Sequence, residues 1–253
     1  MISKRLFQLI MFGGIISTPL IASGHANVVP KDNNDNYSDR QFEEGTTAYI
    51  KLNIAHACKV GVDGTERRNT KHFTVVFPNN IDLTDVAATY DGSGNQYAGN
   101  VLMTIKPSVD SDWKKIMIQR NVVPAYYSHG TNSNDVRGIQ WQHGNVPDSM
   151  YDNVEIRASL PKLQNCVKKL QVFLPSVQYC ANNTMQAWIK YPTDAFNDDV
   201  IAHYSPSFDI IRNETKNPLP SECIDGNVKI VYPEAGDIDK YLKLQLGKKQ
   251  IID

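Results

Sequence analysis

A histidine that becomes the first residue of an exported chain carries two nitrogens able to close one chelate ring, the α-amine and ring Nδ1. His25 is placed for this. Lys4 and Arg5 form a basic start, Leu6 to Ile21 is mostly apolar, and Ala22-Ser23-Gly24 puts small residues where a signal peptidase reads them. Cleavage after Gly24 frees the His25 amine. Gly24-His25-Ala26 also satisfies the rule, and cleavage after Ala26 would discard the residue. Amine and imidazole nitrogens suit Cu(II), which heads the divalent affinity order, and an α-amine with an ordinary pKa of ~8 deprotonates readily.

Trp141 and His143 stand two residues apart. If the strand Ile139-Gln140-Trp141 runs on, both rings share one face. An indole N–H can only donate, so Trp141 would cover a metal near His25, while His143 would add a ligand. Against these stand plain readings: a linker histidine, a core tryptophan and a loop histidine. His72, His129 and His203 show no ligand spacing and receive no role. Asp194, Asp198 and Asp199 read as a solvated loop. Serine-hydrolase, zinc-protease and nucleotide-binding motifs are missing from the sequence.

Cys58, Cys166, Cys180 and Cys223 are even in number and lack the C-x-x-C spacing. In an oxidising compartment two disulfides are expected, with three pairings open. The 253 residues carry 26 basic and 27 acidic side chains. That balance argues against a nucleic-acid binder, which needs a basic surplus. Removal of residues 1–24 leaves a chain in which no stretch is apolar enough to span a membrane.

The elements that must position these residues are short strands. Ile50, Leu52 and Ile54 alternate with polar neighbours, as do Val154, Ile156, Ala158 and Leu160. Further strands are expected at 72–77, 101–105, 115–123, 139–141, 170–174, 177–180, 185–191 and 208–211, bounded by Gly, Pro and Asn. Residues 126–138 read as a polar loop, and no long amphipathic helix stands out. Such a chain is an all-β sandwich. Asn217-Pro218-Leu219-Pro220 reads as a linker to an appendage with one strand, Val228 to Tyr232, and a Lys-rich end.

Four segments carry a resemblance. His25-Ala26-Asn27-Val28-Val29-Pro30-Lys31, His56-Ala57-Cys58, the run from Trp141 to Asp152 (WQHGNVPDSMYD), and Val172 to Cys180 (VFLPSVQYC) resemble, in order, segments of the YcnI-like copper-binding family, domain of unknown function 1775. The resemblance spans about residues 25–211. It implies a periplasmic, secreted or cell-surface protein with an Ig-like or cupredoxin-like β-sandwich at 25–213, after a signal peptide at 1–24 and before an appendage at 214–253. It implies Cu(II) bound through mature His25, with Trp141 near the metal, and a role in copper homeostasis without enzymatic activity. Its partner would be a copper-handling protein of the envelope. It also implies a Cys58–Cys180 disulfide and, with it, a Cys166–Cys223 pair stapling the appendage. His143 stands where the family usually has Gly. The family's acidic residue early in the first strand has no match around 45–48, and Glu43 or Glu44 would serve only with a register shift. Two other functions compete. A copper monooxygenase would need a second brace histidine, and a metal-free interaction module would retain no metal.

Overall fold

The computed structural model describes residues 26–29, 40–60, 65–78, 89–90, 96–97, 102–127, 130–191 and 202–246. The expected signal segment, residues 1–24, and His25 lie outside them, as does His129. In chain order the strands are β1 (Asn27–Val28), β2 (Gln41–Glu43), β3 (Thr47–Ile54), β4 (Cys58–Val60), β5 (Glu66–Arg68), β6 (Thr70–Val76), β7 (Thr89–Tyr90), β8 (Gln96–Tyr97) and β9 (Met103–Pro107). There follow β10 (Lys115–Tyr127), β11 (Gly130–Val146), β12 (Asp152–Ser159), β13 (Val167–Phe173), β14 (Ser176–Cys180), β15 (Met185–Lys190), β16 (Ala202–Tyr204), β17 (Ser207–Ile211) and β18 (Asn227–Val231). One helix, α1 (Ala235–Leu246), follows them.

The protein is an all-β sandwich. Three sheets, β1-β3-β12-β9, β10-β11-β6-β14-β15-β16 and β18-β13-β17-β2, bring their apolar faces into one core. The period-2 strands behave as their sequence requires. Ile50, Leu52, Ile54, Val154, Ile156 and Leu160 are all buried, and the intervening side chains are more exposed. Alternation works because β3 and β12 pair in register, Ile54 opposite Asp152 through Thr47 opposite Ser159, so one face of both strands lies on the core.

Two expectations are corrected. Residues 126–127 and 130–138 are not a loop: they belong to the paired arms of β10 and β11, with Tyr127 opposite Gly130. Pro124 does not end β10. It sits at a register shift between Val122 and Ala125, where a missing N–H is tolerated. The chain also has a helix, α1, whose Ile238, Tyr241 and Leu242 recur at helical spacing. They cover Val76, Val177, Tyr179, Met185 and Ala187 on the outer side of the large sheet.

Both disulfides form as the resemblance implies, Cys58–Cys180 and Cys166–Cys223. The second ties the residues after 213 to the sandwich, and β18 adds to β13 as a parallel edge strand. Glu44 completes the attachment. Its buried carboxylate accepts hydrogen bonds from the Leu163 and Asn213 backbone N–H groups and from Asn217 Nδ2, at 2.5–2.9 Å. Arg212 donates to the Val167 and Asn165 carbonyls, each at 2.8 Å. The Asn217–Pro220 segment is thus a fastened junction.

Glu44→Ala would strand these donors in a buried place. Denaturant unfolding should show a loss of about 2–4 kcal/mol, whereas Glu43→Ala, which removes a surface pair with Lys216, should stay within about 0.5 kcal/mol.

Candidate metal centre

Trp141 lies on β11 between Ile116 of β10 and Phe73 of β6. It is fully buried, with its ring centre 6.2 Å from that of Phe73. Its alternation with Gln140 and Gln142 points it into the sandwich. Its Nε1–H has no hydrogen-bond partner among the described residues. A buried N–H left so costs about 1–3 kcal/mol, so this indole presents a donor in want of an acceptor.

His143 does not share a face with Trp141. Its φ is +59°, and the β11–β6 register shifts between Gln142 and Val146. Alternation holds only while every residue stays extended, and a left-handed residue breaks it. The His143 ring instead meets His72, with ring centres 5.3 Å apart and planes at 75°. The His143 backbone N–H donates to His72 Nδ1 at 3.3 Å. His72 is opposite Gln142 and Tyr179, on the sheet face away from Phe73 and the core. The next residue, Gly144, lies where a Cβ would meet the Trp113 ring at 2.7 Å, so a side chain there is excluded.

Residues 26–29 belong to a different edge. β1 pairs antiparallel with β3, Asn27 opposite Asn53 and Val28 opposite Leu52, and Ala26 and Val28 are buried in the core. The Val29 N–H donates to the Lys51 carbonyl at 2.9 Å. The end of β3 pairs with Asp152, which closes the segment beginning at Trp141. Asp152 Oδ2 accepts from Trp113 Nε1 at 2.7 Å, and its Oδ1 accepts from the Asn153 N–H at 2.7 Å. Burial raises the Asp152 pKa above 3.8. The two hydrogen bonds oppose that rise, and Asp110 and Asp112 add to it.

Neither Glu43 nor Glu44 is on this edge, since β2 belongs to the sheet of β17, and Glu44 is consumed by its structural donors. The half-buried carboxylate at the end of the β1-β3-β12 sheet is Asp152, which sequence reasoning passed over although it stood inside a quoted segment. No group of three or more His, Cys, Asp or Glu among the described residues could hold a metal by itself. His203 packs against Trp188 at 6.1 Å. Burial lowers its pKa, with Lys190, Lys59 and His56 adding to the effect.

Residues 96–210 match the family described as Domain of unknown function (DUF1775), the family that the sequence resembles. No curated protein matches the chain. Among solved structures, one similar chain is an uncharacterized protein from Nocardia farcinica, reported to reveal an immunoglobulin-like fold. It is 12% identical, covers 74% of this chain and 98% of its own, and has a TM-score of 0.43. Another is AvmM, reported to catalyze macrocyclization in alchivemycin A biosynthesis, at 9% identity, 74% and 90% coverage and a TM-score of 0.23. At these scores neither likeness bears on function.

The raised Asp152 pKa has a consequence for stability. The folded state holds this proton more tightly than the unfolded chain, so stability declines as pH rises from about 3.8 through the folded-state value. Asp152→Asn keeps an acceptor for Trp113 and abolishes the titration. Urea denaturation across this range should show the mutant gaining on wild type as pH rises and then running parallel to it. A constant difference at every pH would refute the assignment.

Proposed function

We propose that this chain, whose residues 96–210 match the DUF1775 family, is an exported copper-binding protein of the cell envelope. It would carry Cu(II) as cargo in copper homeostasis, as a chaperone, sensor or buffer, and not act as an enzyme. The observation that carries the reading is the anchoring of the mature start. Ala26 and Val28 are buried and β1 is paired to β3, so the segment that directly follows His25 in the sequence is anchored to the sheet. The amine and Nδ1 of a mature His25 would offer two equatorial nitrogens to Cu(II).

The surroundings are compatible with such a cargo. Asp152 supplies a half-buried carboxylate on the same sheet end, and Trp141 supplies the buried, unpartnered N–H described above. Trp141 would act as a cover, since indole is not a ligand. Two disulfides favour an oxidising location. No helix among the described residues is long and apolar enough to cross a membrane. The competing reading, a metal-free interaction module, draws on the complete burial of Trp141 within the core.

Copper titration of protein beginning at His25 separates the two. One Cu(II) should bind at the N-terminal site with quenching of tryptophan emission that is diminished in Trp141→Phe. His25→Ala, or one extra residue ahead of His25, should each weaken the N-terminal site at least about 100-fold, roughly 2.8 kcal/mol. His203→Ala should not. If the extended protein held this Cu(II) as tightly as the mature form, the N-terminal site would be wrong.

A further inference from the structure

We propose that His72 and His143 form a second metal site, for a divalent late transition ion, on the outer face of the β6–β11 pair. It does not depend on the N-terminal reading. His72 is across the sheet from Trp141's core face, and the backbone turn at His143 carries the second ring over to it.

The separation is that of two ligands on one ion. A metal–imidazole bond of about 2.0–2.1 Å puts each ring centre about 3 Å from the metal, so two rings at a tetrahedral angle have centres about 5 Å apart. The observed centres are 5.3 Å apart, with the planes at 75°. Two neutral imidazoles select Cu(II), Ni(II) or Zn(II) over Mg(II) or Ca(II), which prefer oxygen. With two protein ligands, water fills the remaining positions, and the ion is exchangeable because His143 is exposed.

The backbone supplies an independent observation. His143 occupies a left-handed conformation, φ +59°, which disfavours most side chains and suits glycine. This chain accepts the strain of a side chain at that turn, and the side chain it places there is a second imidazole directed to His72. Strain of this kind clusters at ligand sites.

The existing contact between the two residues gives the site a spectroscopic signature. His143 N–H donates to His72 Nδ1 at 3.3 Å. The amide must be the donor, so neutral His72 carries its hydrogen on Nε2. A metal taken at Nε2 requires that single ring proton to move to Nδ1, which then no longer accepts, so this long hydrogen bond breaks.

The test uses the mature protein carrying His25→Ala, which removes the N-terminal chelate, with Cu(II) and Zn(II) as probes. One equivalent of each should still bind. Cu(II) should show electron paramagnetic hyperfine structure from two imidazole nitrogens, and Zn(II) should shift the His143 amide resonance. Adding His143→Gly should weaken binding at least tenfold while raising the metal-free Tm, because the strain is relieved. His72→Gln should also abolish binding. The proposal is overturned if the His25→Ala protein takes up neither ion, or if His143→Gly binds as tightly as its parent. Failure of the N-terminal reading would look different, since wild type and His25→Ala would then bind copper alike.

Discussion

The middle of strand β11, residues 136–141, is buried on both faces, and much of the molecule answers that requirement. From Val136 to Trp141 every residue is buried. Val136, Ile139 and Trp141 enter the common core. Arg137, Gly138 and Gln140 are polar or small, yet water does not reach them, so something polar enough to receive them has to lie over the outer face. Helix α1 does so: Asp237 approaches Arg137 to 3.8 Å, and Tyr241 packs against Gly138, where a Cβ would already meet Gln119 Oε1 at 2.7 Å. Asp237 in the first turn also suits the positive end of the helix. The residues after 213 are therefore a layer of the fold as much as an appendage, and the Cys166–Cys223 bond and Glu44 hold that layer in place.

How much of this could be read from the sequence follows from which faces are solvated. β3 and β12 have one wet face, so their hydrophobic pattern announces both the element and its core residues. In β14 all five residues are buried, so Ser176 and Gln178, polar at alternate positions, mark no wet face. The outer arms of β10 and β11 fail in the opposite way. Asn132, Asn134 and Asp135 look like a loop, but backbone pairing with Ala125, Val122 and Asn121 needs no apolar side chain. Helix α1 has a three-residue apolar stripe within a Lys-rich end, which is too little to declare a helix until the sheet face it covers is known. The disulfides came through resemblance, because spacing alone left three pairings open.

The site was legible in composition and illegible in geometry. Trp141, His143 and the segment through Asp152 were visible as a group, and the expectation that Trp141 and His143 share a face rested on continued extension. That assumption broke at one dihedral. His72 carried no signal, because its relation to His143 is cross-strand and spans 71 positions. Asp152 likewise became meaningful only when pairing with Ile54 put it at the end of the sheet that β1 joins.

One chain of contacts links these places. Gly144 is pressed against Trp113 so closely that no side chain fits. The Trp113 indole holds the Asp152 carboxylate, and Asp152 stands opposite Ile54 at the end of the strand to which the mature start is paired. A bulkier residue at 144 would push Trp113 away and leave a half-buried carboxylate without its side-chain donor. The residue before it, His143, is left-handed, where a non-glycine residue costs about 1–2 kcal/mol. The bulge between Gln142 and Val146 that seats Gly144 against Trp113 is thus the same bulge that lays the His143 ring over His72.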